Sequence, residues 1–324
     1  MEKLYTKNGH QMFEISSLIQ KAIRRGDMEN ACYAANEMER SYRPYLWKRL
    51  LITSAEDCYD LTTGEVNRLK LLDDKEKSNL HISKAVSFLV MSRKNRDADY
   101  FACNLLHSKY KKDCYPCGGD VQTRHGHNLK LLCDALKQKI LESNDIEIGY
   151  LANEIRQWYR GLFWVCVKDI ARKLGDEKVI DEIRQLEKVD LSQRKETSST
   201  IFIAKAITTL MKIQKYGYDE FQVPAYKIEN IEHYSQRRTL PAYTFDCHTW
   251  LGKRKGLTDD DFIVTEQKCL NPLQKGEYDD LDWANSRKFR TEGRGNDFNV
   301  PKMDKSKYER INKGIFDNSL FDFM

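Results

Sequence analysis

The sequence predicts a mainly α-helical protein: a tandem duplicated helical-bundle unit, followed by an irregular C-terminal region with a polar tail. Three observations predict it. Of 324 residues, 40% are hydrophobic and 32% charged, with only 6 prolines and 16 glycines, which suits long helices with charged faces better than a loop-rich β protein. Apolar residues recur at three- and four-residue spacing rather than in strict alternation. Residues 9–50 lie over residues 126–167 without a gap, displaced by 117 positions.

In that frame Gly9, His10, Tyr33, Ala35, Asn36, Glu37, Tyr42 and Trp47 meet Gly126, His127, Tyr150, Ala152, Asn153, Glu154, Tyr159 and Trp164. Apolar character is kept at Met12/Leu129, Ile15/Leu132, Ile23/Ile140, Met38/Ile155, Leu46/Phe163 and Leu50/Val167. After a four-residue insertion the match resumes, with Lys84, Ala85, Val86, Leu89 and Tyr100 on Lys205, Ala206, Ile207, Leu210 and Phe221.

Along the first copy, Ile15, Leu18, Ile19, Ala22 and Ile23 form one helical stripe. It breaks at Gly26-Asp27, where a helix stop and the next N-cap fit. The segment from Met28 to Glu39 ends before Arg43-Pro44, and Pro44 opens a helix carrying Tyr45, Leu46, Leu50 and Leu51. Each unit reads as four or five packed helices, with Asn36 and Glu37 as polar residues spanning a helix-helix contact. We place unit 1 at residues 1–110, an inter-repeat linker at 111–125, unit 2 at 126–225, a C-terminal segment at 226–275 and a basic-aromatic tail at 276–324.

The run Gly9-His10, Leu18, Lys21, Arg24-Arg25-Gly26-Asp27, Ala31, Tyr33, Met38, Pro44, Arg49-Leu50 and Ser54-Ala55-Glu56-Asp57 resembles the C-terminal helical region of MgsA/RarA-type proteins, clamp-loader-related AAA+ ATPases. Ala85, Val86, Leu89 and Tyr100 fit its next helices, so the likeness covers roughly residues 9–106, and the second copy follows by internal homology. The resemblance implies an oligomerising helical collar in an assembly that acts at stalled replication forks. It does not carry over the motor. No G-x-x-x-x-G-K-[ST] occurs in the chain, so the backbone cradle and lysine that bind nucleotide phosphates are missing. A collar without a motor implies a scaffold, a DNA-binding accessory or a partner-mimicking protein, with a viral stand-alone relative among the candidates. The partners it implies are DNA, single-stranded DNA included, sliding-clamp or clamp-loader-related proteins, and further copies of the chain.

Candidate chemistry lies at four places. Cys114-x-x-Cys117 with His125 and Cys133 supplies the donor types of a tetrahedral zinc site. The competing reading is a linker, CYPCGGD, turned by Pro116 and Gly118-Gly119, with His127 explained as the repeat partner of His10. The segment from Pro241 to Gly256 concentrates Asp246, Cys247, His248 and Thr249 ahead of Lys253, Arg254 and Lys255. It also resembles a D-x-H-T-x-x-G-[KR]-x-x-G pattern of stand-alone relatives of that helical region. Asp246 and His248 read first as structural residues that tie this segment onto the helical body; in the site reading Asp246 is placed to orient the imidazole, and the glycine-flanked cations to meet phosphate. A nucleophilic Cys247 beside His248 is the enzymatic alternative, directed at phosphodiesters, although neighbouring side chains in a strand face opposite ways.

In the tail, Trp283, Phe289, Phe298 and Tyr308 interleave with Arg287, Lys288, Arg290 and Arg294, a combination suited to stacking on bases and neutralising phosphates; the competing reading is an extended arm that packs these aromatics on the helical body. Ser319-Leu320-Phe321 resembles the core of sliding-clamp-binding peptides, with Asp317 where such peptides carry glutamine. The competing reading docks this terminus on the protein itself.

The net charge is +5, and residues 286–314 alone hold nine Lys or Arg against four Asp or Glu, so the helical body is close to neutral. Nine cysteines, several of them inside apolar helical patterns, predict a reducing intracellular setting, cytoplasmic or nucleoid-associated. No run approaches the length of a membrane span and the amino terminus has no apolar signal core. These readings require no cofactor, and without a phosphate-binding loop an enzyme is not the first expectation.

Overall fold

The helix boundaries follow from local stop and start signals. In a computed structural model that describes residues 4–106, 115–142, 145–193 and 200–278, α1 (Met12–Arg24) turns Ile15, Leu18, Ile19, Ala22 and Ile23 fully inward. Burying each large aliphatic chain contributes about 1.5–3 kcal/mol. The chain leaves α1 through Gly26 at φ +66°, and Asp27 caps α2 (Met28–Met38) by accepting the Asn30 N–H. Pro44 sits in the first turn of α3 (Arg43–Glu56), where its missing N–H costs nothing. Next come α4 (Thr63–Glu76) and α5 (Asn79–Met91), the latter capped by Ser78.

A short α6 (Asp97–Phe101) then runs into a π-helical turn at Ala102–Leu106. Then come α7 (Leu129–Glu142), α8 (Asp145–Trp158), α9 (Arg160–Leu174), α10 (Glu177–Ser192) and α11 (Thr200–Tyr216). The first three start 117 residues after α1, α2 and α3, and α11 starts 121 after α5, which reproduces the four-residue insertion.

The repeat extends to individual bonds. Trp47 Nε1 donates to Asp73 Oδ2 at 2.7 Å, and Trp164 Nε1 donates to Asp190 Oδ2 at 2.7 Å. Arg43 and Arg160 fork onto the same two carboxylates. His10 meets the Tyr33 hydroxyl at 2.8 Å and His127 meets that of Tyr150 at 3.0 Å. A tight backbone loop precedes each copy, closed by Thr6 N–H to His10 O at 2.8 Å in one and Thr123 N–H to His127 O at 2.7 Å in the other. Gly9 and Gly126 occupy the left-handed turn position in these loops, as only glycine does without strain.

Asn36 and Glu37 do not span a helix-helix contact as the sequence reading expected. Glu37 accepts from Thr6 Oγ1 at 2.6 Å and from Asn8, while Asn36 accepts from Lys7, so the pair fastens the N-terminal loop onto α2.

The chain folds into two compact units that do not follow its order. One holds the described residues up to Arg96 together with 223–278; the other spans 97–222. The segment after α11 therefore returns to the first copy, adding α12 (Trp250–Arg254) and α13 (Asp259–Lys268). Conversely, α6 belongs to the second unit, where buried Asp97 pairs with buried Lys212 at 3.2 Å. The 115–125 stretch expected as a linker joins 126–128 in a hairpin of that unit, bridged at Cys117/His127 and Gln122/Asn128. Among the described residues there are thirteen α-helices and only isolated β-bridges, and no helix is long and apolar enough to cross a membrane.

Candidate functional site

The segment 241–268 reaches the first unit through a buried cation. Lys21, on the inward face of α1, donates to Thr244 O at 3.0 Å and pairs with Asp246 Oδ2 at 2.7 Å, the two side chains being 3% and 11% exposed. Ser17 adds a bond to the same carbonyl. Burial lowers the Lys21 pKa, and Glu266 and Asp246 oppose that shift. Burial would raise the Asp246 carboxyl, but the hydrogen bonding with His248 and the Lys21 charge hold it well below the carboxylate range. Asp246 is thus an ionised anchor.

Around Asp246 the backbone closes a tight turn. Its Oδ1 accepts the N–H groups of His248 at 2.9 Å and Thr249 at 3.2 Å, and Thr249 Oγ1 caps α12 at Gly252 N–H. A Cβ on Gly252 would stand 1.9 Å from Asp246 O. Gly252 is therefore a close-approach glycine inside a helix, and Lys253 and Arg254, expected between flanking glycines as a phosphate-binding group, lie in that same helix.

Beneath the turn lies an ionic cluster. Arg24 donates to Asp57 at 2.7 Å, to Glu266 at 2.8 Å and to Glu56 at 2.8 Å. Arg25 reaches Glu266 at 3.0 Å and Arg96 reaches Asp57 at 3.0 Å. Burial would raise the Glu266 carboxyl, but Arg25 and Arg24 outweigh it and bring it to about 2. Lys21, Arg24, Arg25, Glu56 and Asp57 all belong to the run that carries the family resemblance. Pattern reading assigned them no role because Glu266, which pairs with Arg24 and Arg25, and Asp246, which pairs with Lys21, lie far along the chain.

The outer face differs in chemistry. Trp250 is 60% exposed, and the Arg254 guanidinium stacks on its ring at 4.7 Å. Lys253 and Lys255 are exposed beside it. Cys247 and His248 do not point to opposite faces as a strand would require: they lie in the turn, with Cys247 Sγ 3.3 Å from His248 Nδ1 and 3.1 Å from Asp259 Oδ1. Burial, then the bond to Asp259, raises the Cys247 thiol far above its ordinary value, which opposes a nucleophilic thiolate. The imidazole packs edge-on to Phe262 at 4.8 Å and stands 3.5 Å from Asp246 Oδ2.

The described zinc candidates are not gathered. Cys133 is buried on α7 with Cys166 as its neighbour, Cys117 is exposed on the hairpin, and His125 lies 3.5 Å from Glu154. Cys114 lies outside the described residues, as do Arg287, Lys288, Arg290, Arg294, Ser319, Leu320 and Phe321. Among the described residues the one set of metal-donor side chains within mutual reach is Cys247, His248 and Asp259.

Comparison with models of protein families, with curated proteins and with solved structures finds no match.

Proposed function

We propose that the chain is a non-ATPase accessory of DNA replication or repair, which contacts single-stranded nucleic acid through α12 and uses its collar-like helical units for assembly or partner docking. The observation that carries the nucleic-acid reading is Trp250, more than half exposed, with Arg254 stacked on its ring and Lys253 alongside. An exposed indole next to guanidinium and ammonium groups combines base stacking with phosphate neutralisation. The buried Lys21–Asp246 pair holds this surface in place before any ligand arrives, which lowers the ordering cost of binding. The docking role of the units rests on the collar resemblance alone.

Fluorescence anisotropy of a labelled oligothymidylate tests the reading. Binding should fall steeply with salt, and Lys253→Ala/Arg254→Ala/Lys255→Ala should reduce the salt slope by about 2, given roughly 0.7 per phosphate contact on single strands. Trp250→Ala should cost about 1–3 kcal/mol of binding. Wild-type protein that shows no retention at low salt defeats the proposal.

The second reading, an enzyme centred on Asp246, Cys247 and His248 acting on phosphodiesters, draws on the 3.3 Å approach of Cys247 to His248. Loss of a phosphodiesterase turnover in His248→Ala, with oligonucleotide binding intact, would promote it. The raised thiol pKa places it second.

A further inference from the structure

Cys247, His248 and Asp259 present one thiol, one imidazole and one carboxylate whose donor atoms all lie within 4.8 Å of one another. In a tetrahedral zinc site, metal-ligand bonds of about 2.0–2.3 Å place sulfur roughly 3.5 Å from a nitrogen or oxygen ligand. The sulfur here is 3.3 Å from His248 Nδ1, 3.9 Å from Nε2 and 3.1 Å from Asp259 Oδ1. The separations to Nδ1 and to Asp259 Oδ1 lie within about 0.4 Å of that value, and the three side chains are partly or fully exposed. We propose that these three residues form a binding site for a zinc-class divalent cation, with a fourth coordination position open to water or a ligand oxygen.

The surroundings orient the donors. Phe262 fixes the imidazole edge-on, and Asp246 Oδ2 stands 3.5 Å from Nδ1. The ring nitrogen nearer the sulfur, Nδ1, is the one placed to share a cation with it, the proton then residing on Nε2. Asp259 begins α13, whose first turn is locked by the Thr258/Asp261 capping box, so the carboxylate sits on a rigid element. Without a cation, burial, then the bond to Asp259 and the nearby Asp246 charge, favour the protonated thiol. Metal binding displaces the thiol proton to solvent and forms the sulfur-metal bond, converting a repulsive cluster into a coordinated one. Sulfur, nitrogen and oxygen donors together favour zinc-class ions over calcium or magnesium, which take oxygen ligands.

Titration of the reduced full-length chain with Co²⁺ reads the site directly. One equivalent should produce a thiolate-to-cobalt charge-transfer band with tetrahedral ligand-field bands, and Zn²⁺ should bleach both. Cys247→Ser should abolish the charge-transfer band. His248→Ala and Asp259→Asn should each weaken affinity by more than the roughly 10- to 100-fold that loss of a ligand's hydrogen-bond partner costs. Cys114→Ser and Cys117→Ser should leave the spectrum unchanged. A band that survives in Cys247→Ser, a band lost in Cys117→Ser, or no band in the wild-type protein overturns the proposal. Loss of cobalt binding with oligonucleotide binding intact, or the reverse, separates this site from the nucleic-acid surface.

Discussion

Lys21 Nζ and Asp246 Oδ2 are 2.7 Å apart in a buried pair that joins the first helix of the protein to a turn near the end of its described chain. One partner comes from the repeat and the other from outside it. The contact sets where the exposed chemistry of residues 247–259 faces, so the strength of this pair is the first thing to measure.

Asp246→Asn keeps an acceptor for the His248 and Thr249 amides but removes the charge opposite Lys21. It should destabilise the protein by about 3–5 kcal/mol, the cost of leaving one buried charge unpaired. Lys21→Met should cost a similar amount, while the double variant should lose less than the sum, with a coupling of about 1–3 kcal/mol. Urea unfolding of the four proteins measures this, and strict additivity would contradict the pairing.

Gly252→Ala places a methyl group 1.9 Å from the Asp246 carbonyl. Either α12 lifts or the turn opens, at about 3 kcal/mol, the upper end of overpacking costs. Lys253→Ala, one residue on and exposed, should stay within about 0.5 kcal/mol of wild type. Thermal unfolding of the two variants distinguishes a packing constraint from a general intolerance of the segment.

Asp73→Asn and Asp190→Asn remove equivalent acceptors from Trp47/Arg43 and Trp164/Arg160. Each should cost about 2–4 kcal/mol, since a buried indole N–H and a guanidinium lose their anionic partner. Hydrogen exchange should show loss of protection confined to the unit that carries the substitution. Spread of the effect through both units would mean that the copies do not unfold separately.

Acid should weaken the first unit in a defined window. The Glu266 carboxyl drops from its ordinary 4.5 to about 2 on folding. A depressed acid contributes stability that is fully present above the unfolded value and is lost as pH falls through the folded one. The loss should therefore run from about pH 4.5 down to about pH 2 and amount to the order of 3 kcal/mol. Asp246, depressed in the same direction, adds a loss that begins below its ordinary value of 3.8. Unfolding midpoints measured across this range in wild type and Glu266→Gln test it, because the Gln variant should show a shallower decline.

Much of the fold was legible because helical spacing, Gly26-Asp27 and Pro44 are local signals, and because duplication repeats them at a constant offset. The conspicuous residues of the repeat prove structural for the same reason. His127 pairs with Tyr150 as His10 pairs with Tyr33. Asp73 and Asp190 lay in the same frame and were passed over, since an aspartate on a helix carries no sign of burial until its tryptophan partner is known. Cys247 and His248 were misjudged because adjacent side chains diverge in a strand, whereas Asp246 bends the backbone here into a turn that brings them together.

The amino-acid sequence by itself determined the helical class, the two copies, the junctions between α1, α2 and α3 and the concentration of unlike functional groups after residue 240. These depend on short-range spacing, which a linear pattern carries in full. Only the tertiary structure decided that the C-terminal segment returns to the first copy and that Lys21 is the cation Asp246 pairs with there. It alone brought Asp259 to Cys247 and His248. Each of those outcomes depends on where a partner distant in the chain, Lys21, Glu266 or Asp259, stands in space. Burial strengthens such pairings by removing water, and no local pattern records them.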